Sequence, residues 1–298
     1  MKKTFRYLSV ILLAALLLPI CWGVLGYFFA YTLYRDVKYG EKDANVMDLY
    51  IPRKAYKRES NGVILFVHGG SWSGGDKADE TIRCRMLASR GYIVANVNYT
   101  LWSEETAGTY HVSQVLDELD AALLRVQSFA AEQGISMDKA ATVGYSAGAH
   151  LAMLYAYSRS DTAPIEIVFS ASMAGPADIS PAVWGEDMTI RVAHRLTGAE
   201  ISPKELRSGE ADELLASISP VSFIDENTPP TLLMQGKKDS VVPFANAESL
   251  VETLEAYSVP HDFVCLKSAD HYLLQNPIQH AKFYGMLFAY CKRYLGKS

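Results

Sequence analysis

Short apolar runs alternate with longer amphipathic stretches along most of this chain. The runs are DLYIP (48–52), GVILFVH (62–68), YIVANVNY (92–99), ATVGYS (141–146), IEIVFSAS (165–172), TLLMQG (231–236) and DFVCLK (262–267). All are rich in β-branched or apolar residues and read as strands. Between them, Val112, Val115, Leu116, Leu119, Leu123 and Val126 share one face at helical spacing. Ala247, Leu250, Val251 and Leu254 repeat that pattern. Continuous apolar strands separated by helices predict a mostly parallel, doubly wound α/β sheet covered on both faces. The strands near 36–51 have no helix between them and are expected to form an antiparallel edge. In such sheets ligands bind beyond the C-terminal ends of the strands.

The N-terminus follows neither period. After Lys2, Lys3 and Arg6, no charged residue occurs until Arg35. A signal-peptide core needs about 7–15 apolar residues, and a membrane span about 20. No small-x-small cleavage site follows, since Tyr27-Phe28-Phe29 precedes Ala30. The expectation is an uncleaved single-pass transmembrane helix within residues 1–34, joined to a folded domain over 35–298. A cleaved signal, giving a secreted domain, ranks second. A lipoprotein at Cys21 ranks last, because Ile20 stands where a small residue is required. The short basic tail resembles a secretory n-region and places the domain outside the cytoplasm, although Arg35, Lys38 and Lys42 balance those positive charges.

Composition narrows the function classes. A chain of 298 residues with 49% hydrophobic content can bury a large core. Its net charge of -5, without a basic stripe or a stacking motif, argues against nucleic acid as the main partner. Cys21, Cys84, Cys265 and Cys291 form no CxxC pair and no metal-ligand spacing. Core packing is the default for Cys291, which shares a helical stripe with Tyr284, Leu287, Phe288 and Leu295; a Cys265–Cys291 bridge stays open. No metal or organic cofactor is expected, and the oligomeric state is left open.

The chemistry concentrates around one serine. Gly144-Tyr145-Ser146-Ala147-Gly148 follows an apolar strand and precedes a helical pattern from Ala149 to Tyr157. Two small residues flanking a serine let a strand turn sharply into a helix and lift the hydroxyl above the sheet. The helix N-terminus then offers free N–H groups to a developing anion. Serine at its ordinary pKa is a poor nucleophile and needs a base, itself oriented by an acid. Asp239 follows the strand TLLMQG and His271 follows DFVCLK, so both reach the same rim in the chain order Ser, Asp, His. Asp178, after an earlier strand, is the alternative acid; Asp270 adjoins His271 and faces it poorly. His150 lies one helical turn past Ser146 and reads as a polar-network residue. Upstream, His68-Gly69-Gly70-Ser71-Trp72 ends an early strand. Its backbone N–H groups at Gly70 and Ser71, with that of Ala147, are candidate donors to an oxyanion. A phosphate loop is excluded, because Gly75-Asp76 stands where Lys-Ser/Thr is required.

Together, VHGGSW, NYTLW, GYSAGAHLA, the segment from SPVSF to VVP, and SADHYLL resemble the α/β-hydrolase superfamily, closest to its carboxylesterase branch. The resemblance spans roughly residues 36–295. It implies a serine carboxylesterase with Ser146, Asp239 and His271 as triad, and a small-molecule ester as substrate. Two positions depart from the pattern: Ser71 replaces a glycine, and Thr100 stands where an arginine commonly follows the tyrosine. An amide hydrolase of the same fold, or a non-catalytic tethered binding protein, are the alternatives. The stretch between Ser172 and Thr231 carries many charges and only scattered large apolar residues such as Trp184, Ile190, Leu196 and Leu214. It is expected to form a modest polar cap, with Trp72 and Trp102 as candidates to narrow the pocket, and therefore short acyl chains of about C2 to C6.

Overall fold

The computed structural model describes residues 30–273 and 277–296. Its strands are β1 (Tyr31–Lys38), β2 (Val46–Pro52), β3 (Asn61–Val67), β4 (Ile93–Val97), β5 (Met137–Tyr145), β6 (Glu166–Met173), β7 (Thr231–Gly236) and β8 (His261–Leu266). They form one eight-stranded sheet in the order β1-β2-β4-β3-β5-β6-β7-β8. β1 and β2 are antiparallel to each other, and β2 to β4; the pairs from β4 through β3, β5, β6 and β7 to β8 are parallel. This is the doubly wound α/β-hydrolase fold.

Helices cover both faces because the parallel strands are apolar on both sides. β3, β4 and β7 are buried along their whole length, as the unbroken apolar runs require. α1 spans Thr81–Ser89, α2 Val112–Glu132 and α3 Ala147–Ser158. All six residues of the sequence-predicted face of α2 are buried. Between β6 and β7 the chain forms a cap of short helices: α4 (Pro181–Trp184), α5 (Glu186–Thr197), α6 (Pro203–Ser208) and α7 (Asp212–Ser217). α8 (Ala245–Ala256) buries Ala247, Leu250 and Leu254 and leaves Val251 half-buried. α9 (Pro277–Tyr290) continues into a π-helical turn that buries Cys291 and Leu295. Cys84, Cys265 and Cys291 are all free thiols, so the Cys265–Cys291 bridge does not form.

The N-terminal boundary differs from expectation. Tyr31 to Tyr34, assigned from sequence to the membrane anchor, belong to β1 and pair with Pro52 to Leu49 of β2. Tyr31 packs edge-on against Tyr50 at 5.5 Å, and Tyr34 against Phe129 at 4.8 Å. Aromatic residues beside a long apolar run look like a membrane-interface belt. Here they cap an edge strand, whose alternation is masked by continuity with the run before it. Residues 1–29 of the expected anchor lie outside the described residues. Among the described residues no helix is long and apolar enough to cross a membrane.

Candidate active site

Four parallel strands deliver the candidate residues to one rim. Ser146 follows β5, the His68–Trp72 loop follows β3, Asp239 follows β7 and His271 follows β8. Ser146 sits at φ 53°, ψ -124°, in a region that L-residues rarely occupy. Such a turn costs about 1–3 kcal/mol and persists only where its surroundings enforce it. The enforcement is steric. A Cβ on Gly144 would lie 2.3 Å from the Gly148 carbonyl oxygen, and one on Gly148 2.2 Å from that of Val67. The Ser146 N–H donates to the Met173 carbonyl at 2.8 Å, tying the turn to β6.

This geometry places Ser146 Oγ 2.9 Å from His271 Nε2. His271 Nδ1 is 2.8 Å from Asp239 Oδ2. The same oxygen accepts from Gln235 Nε2 at 2.8 Å, while Asp239 Oδ1 accepts from the backbone N–H groups of Val241 and Val242, each at 2.8 Å. The carboxylate side chain is fully buried and every bond it makes is from a donor. A carboxylate oxygen accepts, so the His271 nitrogen facing it is the donor, which selects the Nδ1–H tautomer. Nε2 is thereby left as the acceptor facing the Ser146 hydroxyl. Tyr145 supports the histidine from below: its hydroxyl donates to the His271 carbonyl at 2.9 Å.

The alternative acids are engaged elsewhere. Asp178 Oδ2 accepts from Ser249 Oγ at 2.7 Å. Asp270 Oδ1 accepts from the Tyr272 N–H at 3.0 Å.

The HGGSW loop lies against the serine turn. Gly70, Ser71 and Trp72 all have positive φ, at 120°, 53° and 61°. A Cβ on Gly70 would meet the Gly74 carbonyl oxygen at 2.0 Å, so glycine is required there. Ser71 and Trp72 adopt the same strained region without that freedom, and the loop is pinned to hold them. The Gly70 carbonyl accepts from Ser73 N and Gly74 N, and the Trp72 carbonyl from Trp102 N at 2.8 Å. Trp72 Nε1 donates to His150 Nδ1 at 3.2 Å, and His150 Nε2 donates to the Ile218 carbonyl at 2.8 Å. His150 is therefore a strut between the loop and the cap. Complete burial pushes its pKa down to about 4 and keeps it neutral. Behind the loop, His68 stacks on Tyr99 at 4.5 Å, and the Tyr99 hydroxyl donates to the His68 carbonyl. The backbone N–H groups of Gly70, Ser71 and Ala147 have no internal acceptor among the described residues.

Thr100, the second departure from the family pattern, bonds Glu118 through both its N–H and its hydroxyl. Lys42 Nζ reaches the same carboxylate at 2.8 Å. A cation from a different part of the chain thus neutralises Glu118.

Above Ser146 lies a cavity of about 260 Å³. Ser71, Trp72 and Ala147 line it from the rim, and Val241 and Val242 from the loop after Asp239. The cap adds Trp184, Met188, Arg191, Val192 and Arg195. Of the two tryptophans expected to narrow the pocket, Trp72 does so. Trp102 lines a neighbouring cleft with His194 and Glu200. In the sequence Trp184 is only a scattered apolar residue, and Arg191 and Arg195 carry no local signal. Their helical spacing was visible, but nothing local said which surface α5 would cover. Val241 and Val242 had a usable signal, since they immediately follow Asp239.

Comparison with known proteins gives the family and the fold. The BD-FAE family model matches residues 47–254. A probable isoprenylcysteine alpha-carbonyl methylesterase of Oryza sativa subsp. japonica is 26% identical over 85% of this chain and 60% of that protein. Esterase LipC of Mycobacterium tuberculosis is 26% identical over 80% of this chain and 59% of that protein. The chain therefore spans about 60% of the length of these relatives. Among solved structures, a truncated carbohydrate esterase from gut microbiota superposes with a TM-score of 0.72 at 18% identity, covering 89% of this chain and 98% of that one. A propionate-bound esterase of Thermogutta terrifontis superposes at 0.68 with 20% identity, covering 89% and 94%.

Proposed function

The chain belongs to the BD-FAE family, among the α/β-hydrolase carboxylesterases, and from that premise we propose that it hydrolyses short-acyl carboxylic esters through a covalent acyl-enzyme on Ser146. The observation that carries this reading is the line of hydrogen bonds from Ser146 Oγ through His271 to Asp239, 2.9 and 2.8 Å long. His271 Nε2 accepts the hydroxyl proton as Oγ attacks the ester carbonyl carbon. Asp239 holds the imidazole in the required tautomer and stabilises the imidazolium that forms. Negative charge on the former carbonyl oxygen is met by the N–H groups of Ala147, Gly70 and Ser71. The tetrahedral intermediate collapses as His271 returns the proton to the leaving alkoxide, which departs as alcohol. Water, deprotonated by His271, then attacks the acyl-serine, and His271 returns that proton to Ser146 Oγ as the acid leaves.

The chain-length preference rests on the small cavity. Its volume of about 260 Å³ sits below the range of roughly 300–1,000 Å³ usual for drug-sized ligands. Trp72 and Trp184 wall it, which suits acyl groups of about C2 to C6. A fluorophosphonate probe is expected to label Ser146, and kcat/KM across p-nitrophenyl acetate, butyrate, octanoate and palmitate to peak at acetate or butyrate. A maximum at octanoate or beyond would overturn the size assignment. Absence of labelling would overturn the mechanism.

We also propose that the apolar run before Ala30, the part of the expected 1–34 anchor that β1 does not take, tethers the domain to a membrane as a single-pass helix, with the domain on the extracytoplasmic side. The support is the charge-free run between Arg6 and Arg35. The full-length chain is expected to pellet with membranes and to resist carbonate extraction; release by carbonate would refute the tether. Protection from added protease in cells stripped of any outer wall would invert the orientation.

A further inference from the structure

The cavity above Ser146 has a charge asymmetry that hydrolysis of a neutral ester does not use. The charged side chains lining it are Arg191 and Arg195, while Asp187 and Glu200 line only the clefts beside it. They stand at i and i+4 on α5, hence on one face of the helix. Neither guanidinium forms an ion pair among the described residues, although this is an acidic chain with acidic side chains close at hand. Glu186 is bound to Arg207 at 2.8 Å, and Glu200 lies 3.4 Å from His194. Asp187 offers Arg191 only its backbone carbonyl, at 3.3 Å.

The two arginines are held differently. Arg195 is half-buried; its guanidinium lies over the Trp102 ring at 5.0 Å and donates through Nη1 to the Ser71 carbonyl at 3.2 Å. Its Nε is buried with no partner. That anchoring sets a fixed positive charge beside the loop that carries Ser71. Arg191, one turn earlier, is exposed and lines the cavity; its Nε–H donates to the Asp187 carbonyl, which leaves the four N–H donors of its two terminal nitrogens for a ligand. A planar fork with a fixed cation behind it is suited to bidentate capture of a carboxylate.

We propose that this rim is an anion subsite of the hydrolytic centre, so that the preferred ester carries a carboxylate on its acyl or alcohol part. The inference rests on the ester-hydrolase reading above and names its substrate class. Arg191 contacts the substrate anion directly. Arg195 adds long-range attraction and keeps the loop in register.

The test uses the full-length chain and two matched pairs of esters. p-Nitrophenyl hemisuccinate against p-nitrophenyl butyrate varies charge on the acyl side at equal chain length. 4-Acetoxybenzoate against phenyl acetate varies it on the alcohol side. Turnover by Ser146→Ala is subtracted as background. In at least one pair the anionic ester is expected to lead by about tenfold in kcat/KM, the scale of one charge-assisted pair at a half-exposed site. Arg191→Gln is expected to lower that ratio at least fivefold, and Arg191→Glu to bring it below the Arg191→Gln value. Raising ionic strength from low to about 0.5 M should lower the ratio in the unsubstituted chain, because the attraction is screened. Ratios in both pairs that do not change on Arg191→Gln would overturn the anion subsite while leaving ester hydrolysis intact. No Ser146-dependent turnover of any of the four esters would instead remove the ester-hydrolase reading, and this subsite with it.

Discussion

Around Ser146, position is set mostly by backbone, whereas in the cap over residues 174–230 it is set mostly by side chains. On the rim, Asp239 is held by two backbone N–H groups, the Gly70 loop by its own carbonyl, and the serine turn by contacts that exclude a Cβ at Gly144 and Gly148. In the cap, Trp184 hangs from the Asp178 carbonyl by its indole N–H, Arg195 leans on Trp102, and Arg207 meets Glu186 at the surface. Backbone constraints persist when neighbouring side chains change; side-chain packing does not. The chemistry can therefore stay constant while the cap alters what fits above it. His150 is a buried polar link between the two regions, joining Trp72 to Ile218.

Four tests probe this contrast, beginning with the largest expected effect. Ser146→Ala or His271→Ala should each lower kcat for an activated ester by about 10³-fold or more, leaving the residual catalysis of backbone donors. Steady-state kinetics with p-nitrophenyl butyrate measures it, and near-normal turnover in either variant would mean the rim is not the reaction centre. Asp239→Asn should cost about 10²–10⁴-fold. The amide can keep the bonds from Val241 and Val242 only by turning its NH₂ toward Gln235 Nε2 and His271 Nδ1, where acceptors are required. Asp178→Asn, by contrast, should change kcat by no more than about twofold, since that carboxylate faces Ser249. The opposite ranking would relocate the acid.

The third test concerns the link. Burial holds the pKa of His150 at about 4, below its ordinary 6.5. The unfolded chain thus takes up a proton near pH 6.5 that the folded chain refuses until about pH 4. Stability contributed by this residue is complete above pH 6.5 and falls as pH drops through that window, by roughly 3 kcal/mol at 1.36 kcal/mol per unit. Urea midpoints between pH 7 and 4 should decline less steeply in His150→Gln than in the unsubstituted chain. Parallel curves would show that His150 is protonated in place. Smallest is the cap: Trp184→Ala should shift the octanoate-to-butyrate ratio of kcat/KM upward by up to about tenfold, with little change for acetate. A uniform loss across all chain lengths would show that the cap also shapes the rim.

Much of this architecture was legible in the chain because its signals are local. Unbroken apolar runs such as GVILFV and TLLMQ report burial on both sheet faces, and the six-residue stripe of α2 reports one face of a long helix. The glycines around Ser146 and the order of Ser146, Asp239 and His271 follow from turn chemistry and from which strand ends each residue terminates. What depended on partners far along the chain was not legible. Tyr31 to Tyr34 read as part of the apolar run before them, because the strand that pairs with them begins at Val46.

Local signals were enough for the parallel strands, the serine turn and the residues that can reach its rim, since periodicity and glycine geometry act within a few positions of each other. The packing of distant elements set the rest: it turned Asp178 to Ser249, braced Trp72 on His150 across 78 positions, and brought Arg191 and Arg195 to the cavity of Ser146. Those outcomes depend on how the cap settles onto the sheet. That docking minimises exposed apolar surface summed over many distant residues, and no short window of sequence contains the sum.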